Sequence, residues 1–344
     1  MPSSATEKGF KIGIEMEVLL SPKGRSSETF KDLSEFADFL VEHCNAARKP
    51  APKVHNDVDG VYGGSQAKFE WSLTDDGSVK PSKVHQWPLE LVSPILNYDA
   101  RSPWREEVRT MFNTIRRACI IESNQTCGVH VHISPPGDSR WSLPTLKSVC
   151  RSILYFDGAI EAMVPECRRR NQYTLNNRRG NGIFIGKDIS GCLRLVEKCK
   201  HPVEVADLMN EGGKRYFAWN FTNLYYGGLA TIEFRMAPGA SDETMCLPWV
   251  EFVVCFAHAS KTTSSYRDLL QYSRDVQGLR RFLLSHEVSG LNRTILDHIF
   301  KGKSGYIVPQ ASQELTEAQR AELETRMQEL GRRNCMMKKF GYQL

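Results

Sequence analysis

A chain of 344 residues with 41% hydrophobic side chains can bury a substantial core, either as one large domain or as a domain with an appended helical part. Its formal charge of +5 is dispersed except at Arg168 to Arg170, Arg178 to Arg179 and the tail around Lys338, which is too weak a signal for nucleic acid but suits small anionic substrates. A polar start and the lack of any apolar stretch of membrane-spanning length give the expectation of a soluble cytoplasmic protein without membrane contact, and ten scattered cysteines with no C-x-x-C pair argue against a zinc ribbon or a disulfide-stapled scaffold.

Residues 11 to 20 alternate, with Ile12, Ile14, Met16, Val18 and Leu20 on one face and Gly13, Glu15 and Glu17 on the other, as in a half-buried strand. Residues 30 to 47 carry Phe30, Leu33, Phe36, Phe39 and Leu40 at helical spacing, closed by Pro50 and Pro52. Strands are predicted at 68 to 74 and 89 to 93, with a turn at Asp76-Gly77. Helical spacing resumes from Pro103 to Ile121 through Trp104, Val108, Met111, Phe112, Ile115 and Cys119.

A strand at 128 to 134 follows, then a second long helix over 144 to 163 that ends before Pro165, and a basic, glycine-containing loop from Arg168 to Gly186. Short helices at 189 to 199 and 202 to 210 precede strands near 216 to 224 and 230 to 236, and from Pro248 onward the chain reads as mostly helical. The segment from Leu315 to Arg333 has the pattern of a charged amphipathic helix suited to docking. Mixed rather than alternating element order predicts an α+β fold, with helices behind a largely antiparallel sheet.

Three of the predicted strands share an unusual pattern. Glu15 and Glu17 project to one side because strand side chains repeat every two residues; so do His130 and His132, and so do Glu233 and Arg235. Taken singly, the Glu15/Glu17 pair reads as an ordinary solvated strand face, Glu233/Arg235 as a surface ion pair, and His130/His132 equally as a solvated face or as metal ligands. If the three apolar faces share one core, however, the polar faces gather three glutamates, two histidines and an arginine on the other side of the sheet. Clustered carboxylates repel unless protons or cations relieve them, so a divalent metal is the economical explanation, and Glu90 on a further short strand is placed to join. Carboxylate-rich ligation suits Mg²⁺ or Mn²⁺ better than zinc, and an adjacent arginine suits phosphate. The usual phosphate loop is absent: Gly302-Lys303-Ser304 looks like the end of one, but Asp297 occupies the earlier glycine position. Arg179-Gly-Asn-Gly182 does not match a dinucleotide fingerprint either.

The ordered set Gly13-Ile-Glu-Met-Glu17, Asp76-Gly-Ser78, Glu90-Leu-Val-Ser-Pro94, Gly128-Val-His-Val-His-Ile-Ser134, Asn220 and Thr231-Ile-Glu-Phe-Arg235 resembles the amidoligase family, related to glutamine synthetase and glutamate-cysteine ligase. The likeness spans roughly residues 10 to 260. It implies a glutamine synthetase-like curved antiparallel sheet with helices on its convex side, and ATP with Mg²⁺ or Mn²⁺ ions on the concave one. Carried over residue by residue, it makes Glu15, Glu17, Glu90, His130 and Glu233 metal ligands, assisted by Asp76, whose Asp-Gly pair also fits turn chemistry. It sets His132, Ser134, Asn220 and Arg235 toward the nucleotide, with His132 and Arg235 on its phosphates. Arg168, Asn171 and Tyr216 lie in segments similar to the family's substrate or nucleotide contacts, although a solvated loop position explains Arg168 as well. A catalytic domain over 10–265 and a helical extension over 266–344 packed on it are expected, the latter matching nothing in the family.

The chemistry implied is phosphoryl transfer from ATP to a carboxylate, followed by attack of an amine on the acyl phosphate, with ADP and phosphate released. The substrates would be a small carboxylic acid and an amine, such as amino acids. Two other function classes compete. A metal-dependent hydrolase or oxygenase could use His130 and His132, but Pro135-Pro136-Gly137 stands where a cupin needs its glutamate, and the motif lies too far into the chain for the first strand of an amidohydrolase barrel. A non-catalytic binding protein of the same fold is the third.

Overall fold

The alternation at the start of the chain becomes its longest strand, β1 (Phe10–Pro22), and the remaining strands assemble around it. These are β2 (Val54–Asn56), β3 (Trp71–Thr74), β4 (Trp87–Val92), β5 (Leu96–Tyr98), β6 (Cys119–Glu122), β7 (Gly128–Ser134), β8 (Trp219–Asn220) and β9 (Ile232–Pro238). The structure is a computed structural model describing residues 9–24, 30–47, 52–62, 67–225 and 231–308, together with Ala321, Thr325, Met336, Lys339 and Phe340. Among the described residues the strands form one open sheet in the order β2-β3-β4-β1-β7-β9-β8, with β5 and β6 also paired to β1. Every pairing is antiparallel except β2 with β3.

Eleven α-helices accompany the sheet among the described residues: α1 (Leu33–Ala46), α2 (Trp104–Ala118), α3 (Leu143–Tyr155), α4 (Asp157–Met163), α5 (Glu166–Arg169), α6 (Ile189–Lys198), α7 (Pro202–Met209), α8 (Glu243–Thr262), α9 (Tyr266–Leu269), α10 (Val276–Ser285) and α11 (Arg293–Asp297). Side-chain caps set several of their starts: Asp32 accepts from the Glu35 N–H, Ser142 from Thr145 and Asp242 from Met245, each satisfying a backbone donor that the first turn leaves open. No helix among the described residues is long and apolar enough to cross a membrane. The nine cysteines among the described residues are free thiols, all buried except Cys167.

Several predicted boundaries move. The helix expected to reach Ile121 stops at Ala118, because Cys119–Glu122 pairs with Leu19–Pro22, the part of β1 that β7 leaves open. The long helix over 144 to 163 breaks at Phe156 into α3 and α4. Only Trp219–Asn220 of the strand expected near 216 to 224 is extended, and Thr222–Leu224 turns as a 3-10 helix. Strands β2 and β5 were not foreseen, since three residues hold too little alternation to register. The amphipathic segment at 315 to 333 lies outside the described residues apart from Ala321 and Thr325.

One apolar cluster lies on a single side of the sheet. Ile12, Ile14, Met16, Val18 and Leu20 of β1 join Leu89 and Leu91, Val129, Val131 and Ile133, and Ile232, Phe234 and Met236, together with Phe112, Leu154, Phe252 and Phe256 from the helices. Each such side chain contributes roughly 1.5–3 kcal/mol by leaving water. This fixes strand register, because a one-residue slip would carry Glu15, His130 or Glu233 into the core.

Candidate active site

Because every strand has the same side toward the core, the opposite side collects the polar residues in rows that follow the register. One row runs Thr74, Glu90, Glu17; a second pairs Glu15 with His130; a third runs Gly13, His132, Glu233, Asn220. Glu15 lies 3.1 Å from His130 Nδ1 and 3.2 Å from His132 Nε2, while Glu17 lies 3.7 Å from His130 Nε2. Three sets bring one donor atom per residue within 4.8 Å of one another: Glu15, Glu90 and His130; Glu15, His132 and Glu233; and Glu17, Asp76 and Glu90. These are the hard oxygen donors, with one imidazole in two of the sets, that suit a divalent cation such as Mg²⁺ or Mn²⁺.

Electrostatics divides these carboxylates into two classes. Burial pushes Glu17 well above the usual carboxylate range, with Asp76 adding to it, and pushes Glu90 up likewise with help from Glu15, Asp76 and Glu17. Burial would also raise Glu233, but Arg235, His132 and Arg215 outweigh it and hold the group at about 2. Against the same desolvation, His132 and His130 keep Glu15 well below the ordinary range, and hydrogen bonds from Ser78 keep Asp76 low. Burial and Arg235 lower His130, leaving a neutral imidazole with a lone pair to offer. Carboxylates raised by desolvation and by one another, beside a neutral imidazole, form a donor set whose repulsion a divalent ion would relieve, so the residues present fit such an ion.

An irregularity in β9 shapes the arginine end. Val129 pairs with Ala237 but Val131 pairs with Phe234, so Arg235 and Met236 together oppose His130 in a bulge. The Arg168 guanidinium, buried at the end of α5, donates to Arg235 O at 2.7 Å, Cys127 O at 3.3 Å and Met236 O at 3.5 Å, filling the acceptors around the bulge. Gly128 leaves room for this: a Cβ there would stand 2.8 Å from Arg168 Nη2 and 3.2 Å from both Glu17 Oε2 and His130 Nε2. Arg235 Nη1 donates to Glu233 Oε1, and Asn220 Nδ2 donates to Glu233 Oε2 at 2.7 Å. A cleft opens over this face, acidic along Glu15, Glu17, Asp76 and Glu90 and basic along Arg168, Arg215 and Arg235.

A family model described as "putative amidoligase enzyme" matches residues 8–257. The chain belongs to this family. No curated protein matches it. The matched span contains all nine strands and every amidoligase site residue named from sequence.

The tertiary arrangement of this amidoligase brings most of those residues to one place. Glu15, Glu17, Asp76, Glu90, His130, Arg168, Asn171, Tyr216 and Arg235 all line the cleft. His132 and Glu233 lie beneath it, fully buried, and His132 shares a candidate cation set with Glu15 and Glu233. Asp76 accepts the Ser78 N–H at 2.7 Å in its turn and lies in the candidate set with Glu17 and Glu90. Arg168 is buried rather than solvated. Asn171 accepts the Tyr173 N–H at 2.8 Å, and Ser134 is buried outside the cleft lining.

Sequence reasoning missed Arg215, Tyr173 and Thr74, which line the same cleft; Thr74 donates to Glu90 Oε2 at 2.8 Å, and strand alternation with Ser72 was the available signal for it. It also missed that Met336 and Phe340 pack with Val92 on the polar face, where Gly13 lacks a side chain: a Cβ at Gly13 would stand 2.4 Å from Met336 Sδ. The Phe340 ring lies 6.4 Å from His132, and Lys339 Nζ donates to Glu70 O at 2.7 Å, Ser93 O at 3.1 Å and Val92 O at 3.3 Å.

Proposed function

We propose that this amidoligase is an ATP- and Mg²⁺- or Mn²⁺-dependent ligase that joins a carboxylic acid to an amine through an acyl phosphate. The observation that carries the reading is the gathering of Glu15, Glu17, Asp76, Glu90, His130, His132 and Glu233 beside Arg235 on one sheet face, in a chain of this family. In this reading the sheet is of the glutamine synthetase type, 10–265 is the catalytic domain and 266–344 its extension. Divalent ions, when bound, would neutralise phosphate charge and help align the transferring group.

The chain's own residues divide the remaining work. Glu15, Glu17, Glu90 and His130, with Asp76, hold the cations. Arg235 is fixed by Glu233, and against burial the carboxylates of Glu233, Glu15 and Glu17 keep its planar guanidinium protonated and aimed, ready for a phosphoryl oxygen as charge moves in the transition state. His132, held at 3.2 Å from Thr231 Oγ1, sits behind this position. The surrounding cleft limits water, which would otherwise hydrolyse an acyl phosphate.

The test is to incubate the protein with Mg²⁺, ATP and pooled amino acids, identify condensed products by mass spectrometry, and resolve the nucleotide products by chromatography. Acid-dependent release of ADP and phosphate with an amide supports the reading. AMP and pyrophosphate alongside the amide would overturn the mechanism, and metal-dependent cleavage without ATP would overturn the ligase.

A further inference from the structure

Well beyond residues 8–257, which the family model matches, one turn of helix lies against the polar sheet face. Phe340 N donates to Met336 O at 3.1 Å, the bond of a helical turn, so Met336, Lys339 and Phe340 share a side. That side meets the sheet over Gly13, where the missing side chain leaves room: a Cβ there would stand 2.4 Å from Met336 Sδ and 3.1 Å from Phe340 Cε2. Lys339 is buried as well, its ammonium donating to Glu70 O at 2.7 Å, Ser93 O at 3.1 Å and Val92 O at 3.3 Å. These acceptors lie just before β3 and at the end of β4, so the turn is latched to the sheet by a cation as well as packed on it.

What the turn covers is His132. Gly13 is the register partner of His132, and the Phe340 ring stacks toward the imidazole at 6.4 Å and 26°. His132 is fully buried and does not line the cleft, whereas His130 on the same strand does. Its Nε2 has no hydrogen-bond partner, yet it stands 3.2 Å from Glu15 Oε1 and 3.7 Å from Glu233 Oε1. The set of Glu15, His132 and Glu233 is therefore roofed by the turn, while every residue of the other two candidate sets lines the cleft. Met336 and Phe340 pack with Val92 in a small apolar cluster of their own, with Ile95 against it, apart from the main core. So small a patch holds its turn less firmly than the core holds the helices, and it opens locally without unfolding of the sheet.

We propose that Met336, Lys339 and Phe340 form a strap that controls access to His132: seated, it closes the set of Glu15, His132 and Glu233, and lifted, it lets solvent and a divalent ion reach that set. The ion half of this inference rests on the divalent-ion reading given above; the access of solvent to His132 does not. Lys339 is the latch, because its three carbonyl bonds must break together for the turn to leave the sheet. Lifting opens entry and exit alike, so the strap sets the rate of ion exchange and leaves the affinity to the three ligands.

Exchange of the imidazole Cε1 hydrogen with deuterated solvent, read by mass spectrometry on the chelator-treated full chain, reports access to each histidine without any metal. His132 of the parent is expected to exchange more slowly than His130, and Phe340→Ala should speed His132 roughly tenfold while His130 stays near its parent rate. Lys339→Met should do the same; it removes the latch but keeps Met336 and Phe340, so it separates lifting of the strap from mere loss of the covering ring, and it decides the matter should Phe340→Ala fail to fold. Equal His132 exchange in the parent and Lys339→Met overturns the proposal. Release of Mn²⁺ into excess chelator by stopped flow tests the ion: one ion of the parent should leave slowly, and roughly tenfold faster in both variants at unchanged affinity. Release at the parent rate overturns the gate. If the parent binds no Mn²⁺, the divalent-ion reading fails and the ion gate with it, while histidine exchange still decides whether the strap governs His132.

Discussion

The sharpest consequence of the buried carboxylates is a proton count. Without a cation, Glu17 and Glu90 keep their protons to higher pH than an exposed glutamate, because burial and neighbouring carboxylates disfavour their charged forms. Glu15 and Glu233 are already ionised in the same range, Glu233 at about 2. A divalent ion entering this cluster must therefore expel up to two protons, one from each raised group. By linkage, Mn²⁺ affinity should climb with pH by up to about a hundredfold per unit while both protons are held, then by about tenfold, then level off. Glu90→Gln removes one titrating group and should lower the limiting slope by one proton.

Stability carries the same signature with its own sign. For Glu17 and Glu90 the folded-state values are raised, so their contribution is fully present below the ordinary value of 4.5 and is lost as pH rises through the raised values. The melting temperature of chelator-treated protein should fall over that window, and Mn²⁺ should restore it more strongly at the upper end. Glu233, held at about 2, behaves oppositely and loses its contribution only as pH falls from 4.5 toward that value. Calorimetric titration in two buffers of different ionisation enthalpy counts the protons directly. A pH-independent Mn²⁺ affinity with no proton release would refute the reasoning, whatever the enzyme's turnover.

Three other substitutions test separate links. Glu161, buried beside Asn176, is raised by that burial from 4.5 to about 7, so ionising it in the folded state costs about 3 kcal/mol, and Glu161→Gln should raise the melting temperature above pH 7 while changing little below 4.5; equal shifts at both ends would argue against it. Gly128→Ala places a Cβ 2.8 Å from Arg168 Nη2 and 3.2 Å from Glu17 Oε2, and should weaken Mn²⁺ binding roughly tenfold with circular dichroism unchanged, since displacing a ligand by a fraction of an ångström degrades a preorganised site; parent-like titration would show that the cradle yields freely. Arg235→Lys keeps the charge but loses the planar fork, and should lower ATP turnover roughly a hundredfold, or about 3 kcal/mol, as read by ADP release; near-normal turnover would reassign Arg235 to pairing with Glu233.

Which side chains share a face was readable from the residue pattern alone. Period-two alternation is local, so Glu15 with Glu17, His130 with His132 and Glu233 with Arg235 were legible before any contact was known, as was the mixed α+β character. It also fixed which face had to be hidden, because Ile12, Val131 and Phe234 can be removed from water only on the opposite side.

How those faces line up across strands far apart in the chain emerges only once the sheet has closed. Register places Glu17 opposite Glu90 and Glu15 opposite His130, and register is set by the packing of the whole core. The bulge at Arg235 and the burial of Arg168 beneath it were invisible for the same reason: both are answers to backbone acceptors that exist only once β7 and β9 have paired. Arg215 drew no attention because it lies in no alternating strand, and it meets Glu233 only from another part of the fold. Local pattern sorts residues by face, while the long-range closure of the sheet determines which of them meet.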